Sequence, residues 1–167
     1  MHRSIRNFGL AASLAIVIAG AAGTLPQTAF ATDESSTAAI NVEKGAVILH
    51  GYDPVAYFTM GKPAKGNAKY STTYRGAVYY FASKANRTMF LADPAHYAPQ
   101  FGGFCAMGVA LGKKLDVDPN QFKVVDGRLY LNVNADVFKK WSQDIAGNIA
   151  RANENWPAIK GRAPSAL

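Results

Sequence analysis

The stretch FKVVDGRLYLNV, residues 122–133, contains the clearest structural signal in this sequence. Apolar and polar residues alternate on both sides of Asp126-Gly127, and an Asp-Gly pair between two such runs is typical of a two-residue hairpin turn. A second pair of strands is predicted around Arg75-Gly76 in KYSTTYRGAVYYFAS, residues 69–83, because this stretch is rich in Tyr, Thr and Val. The sequence therefore predicts two β-hairpins.

A short helix is predicted after the first hairpin and a long helix after the second. Ser83 is placed to cap a helix over residues 84–93, which Pro94 stops. Asn134 is placed to cap an amphipathic helix that continues to Pro157. The apolar residues of its buried face recur four apart: Val137, Trp141, Ile145 and Ile149.

The glycine-rich segment between the two hairpins, residues 96–114, lacks a clear period, so we expect a loop with one turn of helix. Hairpins, a short helix and one long C-terminal amphipathic helix make an α+β fold. No internal repeat is detected in the sequence. The single domain is long enough to form a sizeable core.

The N-terminus predicts export. Arg3 and Arg6 precede an uncharged apolar run, and the small residues of AFA follow it at 29–31. This pattern is typical of a Sec-type signal peptide over residues 1–31, cleaved near Ala31, so we expect a periplasmic or secreted protein. An uncleaved anchor is the alternative, because residues 8–25 just reach the roughly 18 residues that can span a bilayer. Membrane attachment is expected only through that segment.

Three further segments follow the leader. Residues 32–41 are small and polar and predict a flexible lead-in. The domain itself is predicted over residues 42–160, and a C-terminal tail over residues 161–167. The formal net charge is +7, but the lysines are scattered and are not interleaved with aromatic residues. This distribution predicts a solvated surface and no nucleic-acid partner.

Several separated motifs share one resemblance. They are GYDPVAYF (51–58), YRGAVYYFAS (74–83), FLADPAHY (90–97), FGGFCAMGV (101–109) and DGRLYLNV (126–133). Together they resemble the exported YHS domain-containing proteins of bacteria, some of which are described as selenoproteins. The resemblance implies a small YHS-type domain and places Cys105 at a Cys or selenocysteine site. The wider YHS group resembles a metal-binding module, but Ala56, Ala82 and Asn86 stand where its cysteines are expected.

Cys105 is the only cysteine, so no internal disulfide can form. Cys105 and Met107 are soft donors two residues apart, and in an extended segment both would point to the same side. With His50 and His96, these residues predict a soft-metal site, copper above all. A cupredoxin is excluded, because no histidine follows Cys105.

Two alternatives to metal binding stay open. The first is a thiol-based redox protein in which Cys105 forms a sulfenic acid or a mixed disulfide; the chain has no CxxC motif, so it is not thioredoxin-like. The second is a non-catalytic interaction module in which Cys105 only packs. In that case His50 hydrogen-bonds near the GYDP turn and His96 caps the preceding helix. The expected partner is a metal ion or a periplasmic protein, and enzymatic activity is not favoured.

Overall fold

The structure, a computed structural model, describes residues 33–167, and the predicted signal peptide lies outside these described residues. In chain order the helices and strands are α1 (Pro54–Thr59), β1 (Asn67–Tyr74), β2 (Ala77–Phe81), α2 (Lys84–Ala92), α3 (Pro94–Tyr97), α4 (Ala106–Ala110), β3 (Asp118–Val125), β4 (Arg128–Asn132), α5 (Ala135–Trp141) and α6 (Ile145–Ile159). Short 3₁₀ helices span Leu49–Gly51, Gln100–Gly103 and Pro164–Ala166. The α+β class is confirmed. No helix of the described part is both long and apolar enough to cross a bilayer.

Both hairpins form where the sequence predicts them. β1 pairs with β2 and β3 pairs with β4, each in its own antiparallel sheet. The turn residues all have positive φ: 49° at Arg75, 83° at Gly76, 49° at Asp126 and 68° at Gly127. Positive φ at both central positions is the type I′ geometry, whose twist matches that of the flanking strands.

The predicted caps also form. The Ser83 hydroxyl accepts a hydrogen bond from the Asn86 N–H at 3.1 Å, at the start of α2. The Asn134 side chain accepts one from the Val137 N–H at 2.9 Å, at the start of α5. Each cap satisfies an N–H group that has no partner within its helix.

In place of one long C-terminal amphipathic helix, the structure has two helices. α5 ends at Trp141, and Asp144 starts α6 by accepting a hydrogen bond from the Gly147 N–H at 2.9 Å. The buried Asn148 side chain donates to the Trp141 carbonyl at 2.9 Å, beside the longer hydrogen bond of 3.4 Å from the Asp144 N–H. Pro157 lies in the last turn of α6, where proline interrupts little of the helix.

The chain is built from two successive units with the same order of elements. Unit 1 is residues 49–92 and unit 2 is residues 100–141. Each unit has a 3₁₀ helix with left-handed residues, a short capped helix, a hairpin and a second capped helix. In both hairpins a strand of 8 residues pairs with one of 5, and the register shifts after the first pair. This repeat cannot be detected in the amino-acid sequence, because equivalent backbone positions carry different side chains.

One hydrophobic core serves both units. In unit 1, Phe90 of α2 packs on Tyr79 of β2, with ring centroids 4.7 Å apart. In unit 2, Trp141 of α5 packs on Tyr130 of β4 at 5.9 Å. The same contact between the second helix and the hairpin therefore forms in each unit.

Tyr57 of α1 joins unit 1 to unit 2. Its hydroxyl donates to the Pro119 carbonyl at 3.0 Å, and its ring meets the Phe122 ring at 4.6 Å. Tyr57 is 1 % exposed, so an unpaired hydroxyl there would be costly.

Lys114 holds both ends of the described chain. Its side chain is 1 % exposed, and its ammonium donates to the carbonyls of Ala38 and Arg162, each at 2.7 Å. The end of the predicted lead-in, residues 32–41, and the start of the predicted tail, residues 161–167, therefore bind the same ammonium.

We expect Gly102→Ala to be strongly destabilising. Gly102 has φ +61°, and an added Cβ would lie 2.0 Å from the Ala39 carbonyl oxygen. Gly76→Ala is the matched control, because Gly76 has φ +83° and open space around it. The control should lose only the left-handed strain of about 1–2 kcal/mol, and Gly102→Ala clearly more. Urea unfolding measures both losses, and equal losses would contradict the close approach of residue 39.

Candidate functional site

Cys105 lies in the core, at the N-cap of α4. Its side chain is fully buried, and its sulfur accepts a hydrogen bond from the Gly108 N–H at 3.4 Å. The thiol donates to the Asn132 side-chain oxygen at 3.6 Å. The Cys105 N–H donates to the Leu115 carbonyl at 2.9 Å, which fixes the loop after α4.

Two opposing effects act on the thiol. Burial raises the pKa of Cys105, while main-chain N–H groups of Gly108, Val133 and Met107 directed at the sulfur lower it. Burial dominates, and the pKa is raised overall. The folded protein therefore holds Cys105 as a thiol at neutral pH, and we expect slow reaction with bulky thiol reagents.

The extended segment that was expected to put Met107 on the same side as Cys105 does not form, because α4 begins at Ala106. Met107 is buried, and its N–H donates to the Asn132 side-chain oxygen at 3.2 Å.

Both ring nitrogens of His50 contact protein acceptors. Nδ1 pairs with the Glu43 carboxylate, and Nε2 lies 3.1 Å from Asp116 Oδ1 and 3.0 Å from the Val117 carbonyl. Burial lowers the pKa of His50, but the hydrogen bonds and charges of Asp116 and Glu43 outweigh it and raise the pKa to about 9. An imidazolium donates from both nitrogens and offers no lone pair to a metal. His50 is thus a structural cation in this arrangement.

His96 lies on the exposed helix α3. Its ring packs against the rings of Phe58 and Tyr97, with centroids 4.8 Å and 4.6 Å away. Its main-chain N–H donates to the Asp93 carboxylate at 3.1 Å. The four residues of the predicted metal site therefore have different surroundings. Within residues 33–167, no group of three or more His, Cys, Asp or Glu side chains is arranged to hold a metal ion.

Asp53 occupies in unit 1 the position that Cys105 occupies in unit 2. It is the N-cap of α1, is fully buried, and its N–H donates to the Ala64 carbonyl at 2.9 Å. Its carboxylate accepts hydrogen bonds from the N–H groups of Val55 and Ala82, each at 2.8 Å, and from the Asn86 amide at 2.6 Å. Val55 and Ala82 are the counterparts of Met107 and Val133. We call the two settings the Asp53 niche and the Cys105 niche.

Two buried donors in unit 2 have no hydrogen-bond partner. Among the described residues, only the Asn132 side-chain nitrogen and the Trp141 ring nitrogen are buried in this way. Their counterparts in unit 1 are Phe81 and Phe90, whose rings lie 5.1 Å apart. Unit 2 thus has two side chains that carry an N–H donor where unit 1 has two phenylalanine rings without one.

A separate groove crosses the surface between the turn of hairpin β1–β2 and helix α6. It consists of four adjoining cavities that share lining residues, and the largest measures about 570 Å³. Residues shared between adjoining cavities are Arg75, Ala95, Ala98, Pro99, Gln100, Gly102, Asp126, Asn153 and Trp156. We call this surface the groove. Its lining combines aromatic side chains with charged and amide groups.

The GYDP stretch, expected to be a turn, contains Asp53, the N-cap of α1, and the sequence did not indicate that Asn132 contacts Cys105. The DP pair in GYDPVAYF indicates an N-cap before a helix, since proline is favoured at the first helical position. Asn132 carries a weaker signal: it is a polar residue within the apolar strand LYLNV, at a position that the alternation leaves ambiguous.

We expect the stability of the protein to fall as the pH rises from about 6.5, the usual pKa of histidine, toward the raised pKa of His50. Because the folded protein binds this proton more tightly, the stabilisation is complete below the unfolded pKa and is lost as pH rises through the folded pKa. Urea unfolding at several pH values measures this slope. His50→Gln should remove it, and a wild-type stability that stays constant over this range would contradict the ion pairs.

Comparison with known proteins gives one match. A family model described as YHS domain matches residues 55–101, which run from α1 to the second 3₁₀ helix. No curated protein and no solved structure matches the chain. The YHS resemblance is therefore confirmed for residues 55–101, which cover most of unit 1 and the segment that follows it, and most of unit 2 lies outside the matched residues. The chain contains a match to the YHS domain family at residues 55–101.

Proposed function

We propose that this protein is an exported YHS-type protein that binds a soft metal ion, Cu(I), through the Cys105 thiolate. The YHS family is often linked to the handling of metals, copper included, and this chain matches it. The signal-peptide pattern of residues 1–31 supports a periplasmic or secreted location.

The observation that carries the proposal is the set of N–H groups around the Cys105 sulfur. The Gly108 N–H donates to it at 3.4 Å, and the main-chain N–H groups of Val133 and Met107 also favour the anionic form of the sulfur. In unit 1 the counterparts of Met107 and Val133, the N–H groups of Val55 and Ala82, bind the Asp53 carboxylate. N–H groups that converge on one atom favour its anionic form, and a thiolate is the soft ligand that Cu(I) prefers.

We infer a ligand set smaller than the four predicted residues. His50 is bound to Glu43 and Asp116, and His96 packs on aromatic rings at the surface. Met107 supplies the sulfur nearest to Cys105 in the chain. Met107 lies in the first turn of α4, directly after the Cys105 N-cap, and is the candidate second ligand.

Catalytic redox cycling has less support than metal binding. Cys105 is fully buried, and burial raises the pKa of its thiol. A nucleophilic thiol needs the opposite conditions, namely exposure and a lowered pKa.

We expect reduced wild-type protein to hold one Cu(I) ion per chain in competition with a chromogenic chelator. Cys105→Ser should abolish this binding, and Met107→Leu should weaken it. Because the metal displaces the thiol proton, the apparent affinity should increase with pH. Met60→Leu and His96→Gln are the controls, since Met60 is exposed and His96 packs elsewhere. Retention of copper by Cys105→Ser would contradict the proposal.

A second candidate is a non-catalytic interaction module that binds a protein partner in the groove. The continuity of four adjoining cavities favours it. Tyr74, Tyr79 and Trp156 line one of these cavities, with Arg75 at its rim. Aromatic and arginine side chains are the residues most enriched at energetically important interface positions.

We expect Arg75→Glu to reduce the recovery of a groove-bound partner from envelope extracts by affinity capture on the immobilised protein, at least several-fold. Lys139→Glu makes the same charge change at an exposed residue of α5 outside the groove and should leave recovery unchanged. Equal loss in both variants would indicate a general charge effect and would contradict binding in the groove.

A further inference from the structure

The Cys105 niche has the donor arrangement of a carboxylate site. In the Asp53 niche, the N–H two residues into α1 binds one carboxylate oxygen and the N–H of Ala82 binds the other. The corresponding groups at Cys105 are the N–H groups of Met107 and Val133, both of which favour the anionic form of the sulfur. The Met107 N–H donates to the Asn132 side-chain oxygen at 3.2 Å. A single sulfur atom thus stands where unit 1 has a group with two oxygens.

One further donor of the Cys105 niche has no partner. Asn132 is fully buried, and its side-chain amide faces the Cys105 sulfur through its oxygen at 3.6 Å. The nitrogen of the same amide forms no hydrogen bond. A buried donor without an acceptor is unfavourable and points to a group that accepts from it. In unit 1 an amide nitrogen, that of Asn86, donates to the Asp53 carboxylate.

We propose that Cys105 is a site of oxidation to the sulfinate, and that its niche binds this group as the Asp53 niche binds a carboxylate. A sulfinate, like a carboxylate, is a single negative charge spread over two oxygens. The N–H groups of Met107 and Val133 take one oxygen each. Rotation of the Asn132 amide then lets its nitrogen donate to the sulfinate.

The reaction needs only a peroxide. The thiol first loses its proton, and the thiolate sulfur attacks one oxygen of hydrogen peroxide. The O–O bond breaks, the leaving hydroxide takes up a proton, and the products are a sulfenic acid and water. A second peroxide oxidises the sulfenic acid to a sulfinic acid, again with release of water. The sulfinic acid then loses its proton. Each step oxidises the sulfur by two electrons and consumes one peroxide. One peroxide oxygen is added to the sulfur, and the other leaves as water.

The small size of hydrogen peroxide and the burial of Cys105 both shape the outcome. Burial excludes other thiols, so the sulfenic acid meets no partner for a disulfide, and Cys105 is the only cysteine of the chain. The sulfenic acid therefore cannot form a disulfide within the chain, and we expect it to be oxidised further. The oxidation is slow because the thiol is buried and protonated.

The proposal is independent of metal binding by Cys105. A protein that binds no copper can still form the sulfinate, and a protein that binds copper should lose it on oxidation. Oxidation is therefore tested in the presence of a metal chelator.

The first experiment treats folded, chelator-washed protein with excess hydrogen peroxide and locates the products by peptide mass spectrometry. Mapping is needed because the exposed Met60 and Met89 also oxidise. We expect Cys105 to gain two oxygen atoms and the product to keep the wild-type melting temperature or exceed it. A Cys105 that stays unmodified, or a sulfinate that unfolds the protein, would overturn the proposal.

The second experiment replaces the sulfinate by a carboxylate. Cys105→Asp should resist urea better than Cys105→Asn, its neutral and nearly isosteric control, at pH 7. The advantage should disappear as the pH falls and the carboxylate is protonated, because an anion stabilised in the folded state loses that stabilisation at low pH. A Cys105→Asp variant less stable than Cys105→Asn at pH 7 would show that the niche does not hold an anion.

Discussion

One buried side chain in each unit joins the start of a short helix to the end of a hairpin. Asp53 does so in unit 1 through the N–H of Ala82, and Cys105 does so in unit 2 through the N–H of Val133. If this contact opened, main-chain N–H groups would stay buried without partners, at about 1–3 kcal/mol each. The position of each hairpin on its helix depends on this contact, and so does the core that the two units share.

The sequence was sufficient for features that depend on neighbours along the chain. The type I′ turns at Arg75-Gly76 and Asp126-Gly127 and the caps Ser83 and Asn134 follow from local backbone preferences. The candidate site depends on contacts between distant segments, and these left no periodic signal. The ion pair of His50 with Asp116 joins unit 1 to unit 2. The contact of Cys105 with Asn132 joins the start of α4 to the end of β4 within unit 2. The residue types in the sequence could suggest these side chains as candidates but could not show which of them are in contact.

The two units show how one backbone accommodates different chemistry. At the left-handed position before the short helix, unit 2 has Gly102, whereas unit 1 has His50 with φ 51°. A left-handed histidine costs about 1–2 kcal/mol, which its ion pairs offset. At the next equivalent cap, unit 1 has the carboxyl side chain of Asp53 and unit 2 has the thiol of Cys105. The same backbone therefore presents two oxygen atoms in unit 1 and one sulfur atom in unit 2.

Lys114 couples the two ends of the described chain to each other. Its ammonium binds carbonyls on both sides, at Ala38 and Arg162, in a setting that excludes water from the charge. If either end detaches, the Lys114 ammonium loses one of the carbonyl groups that bind it, and the other end stays beside a poorly solvated cation. Fraying should therefore be cooperative: under mechanical load the two ends should detach together in one step, ahead of the hairpins, as a unit of local unfolding.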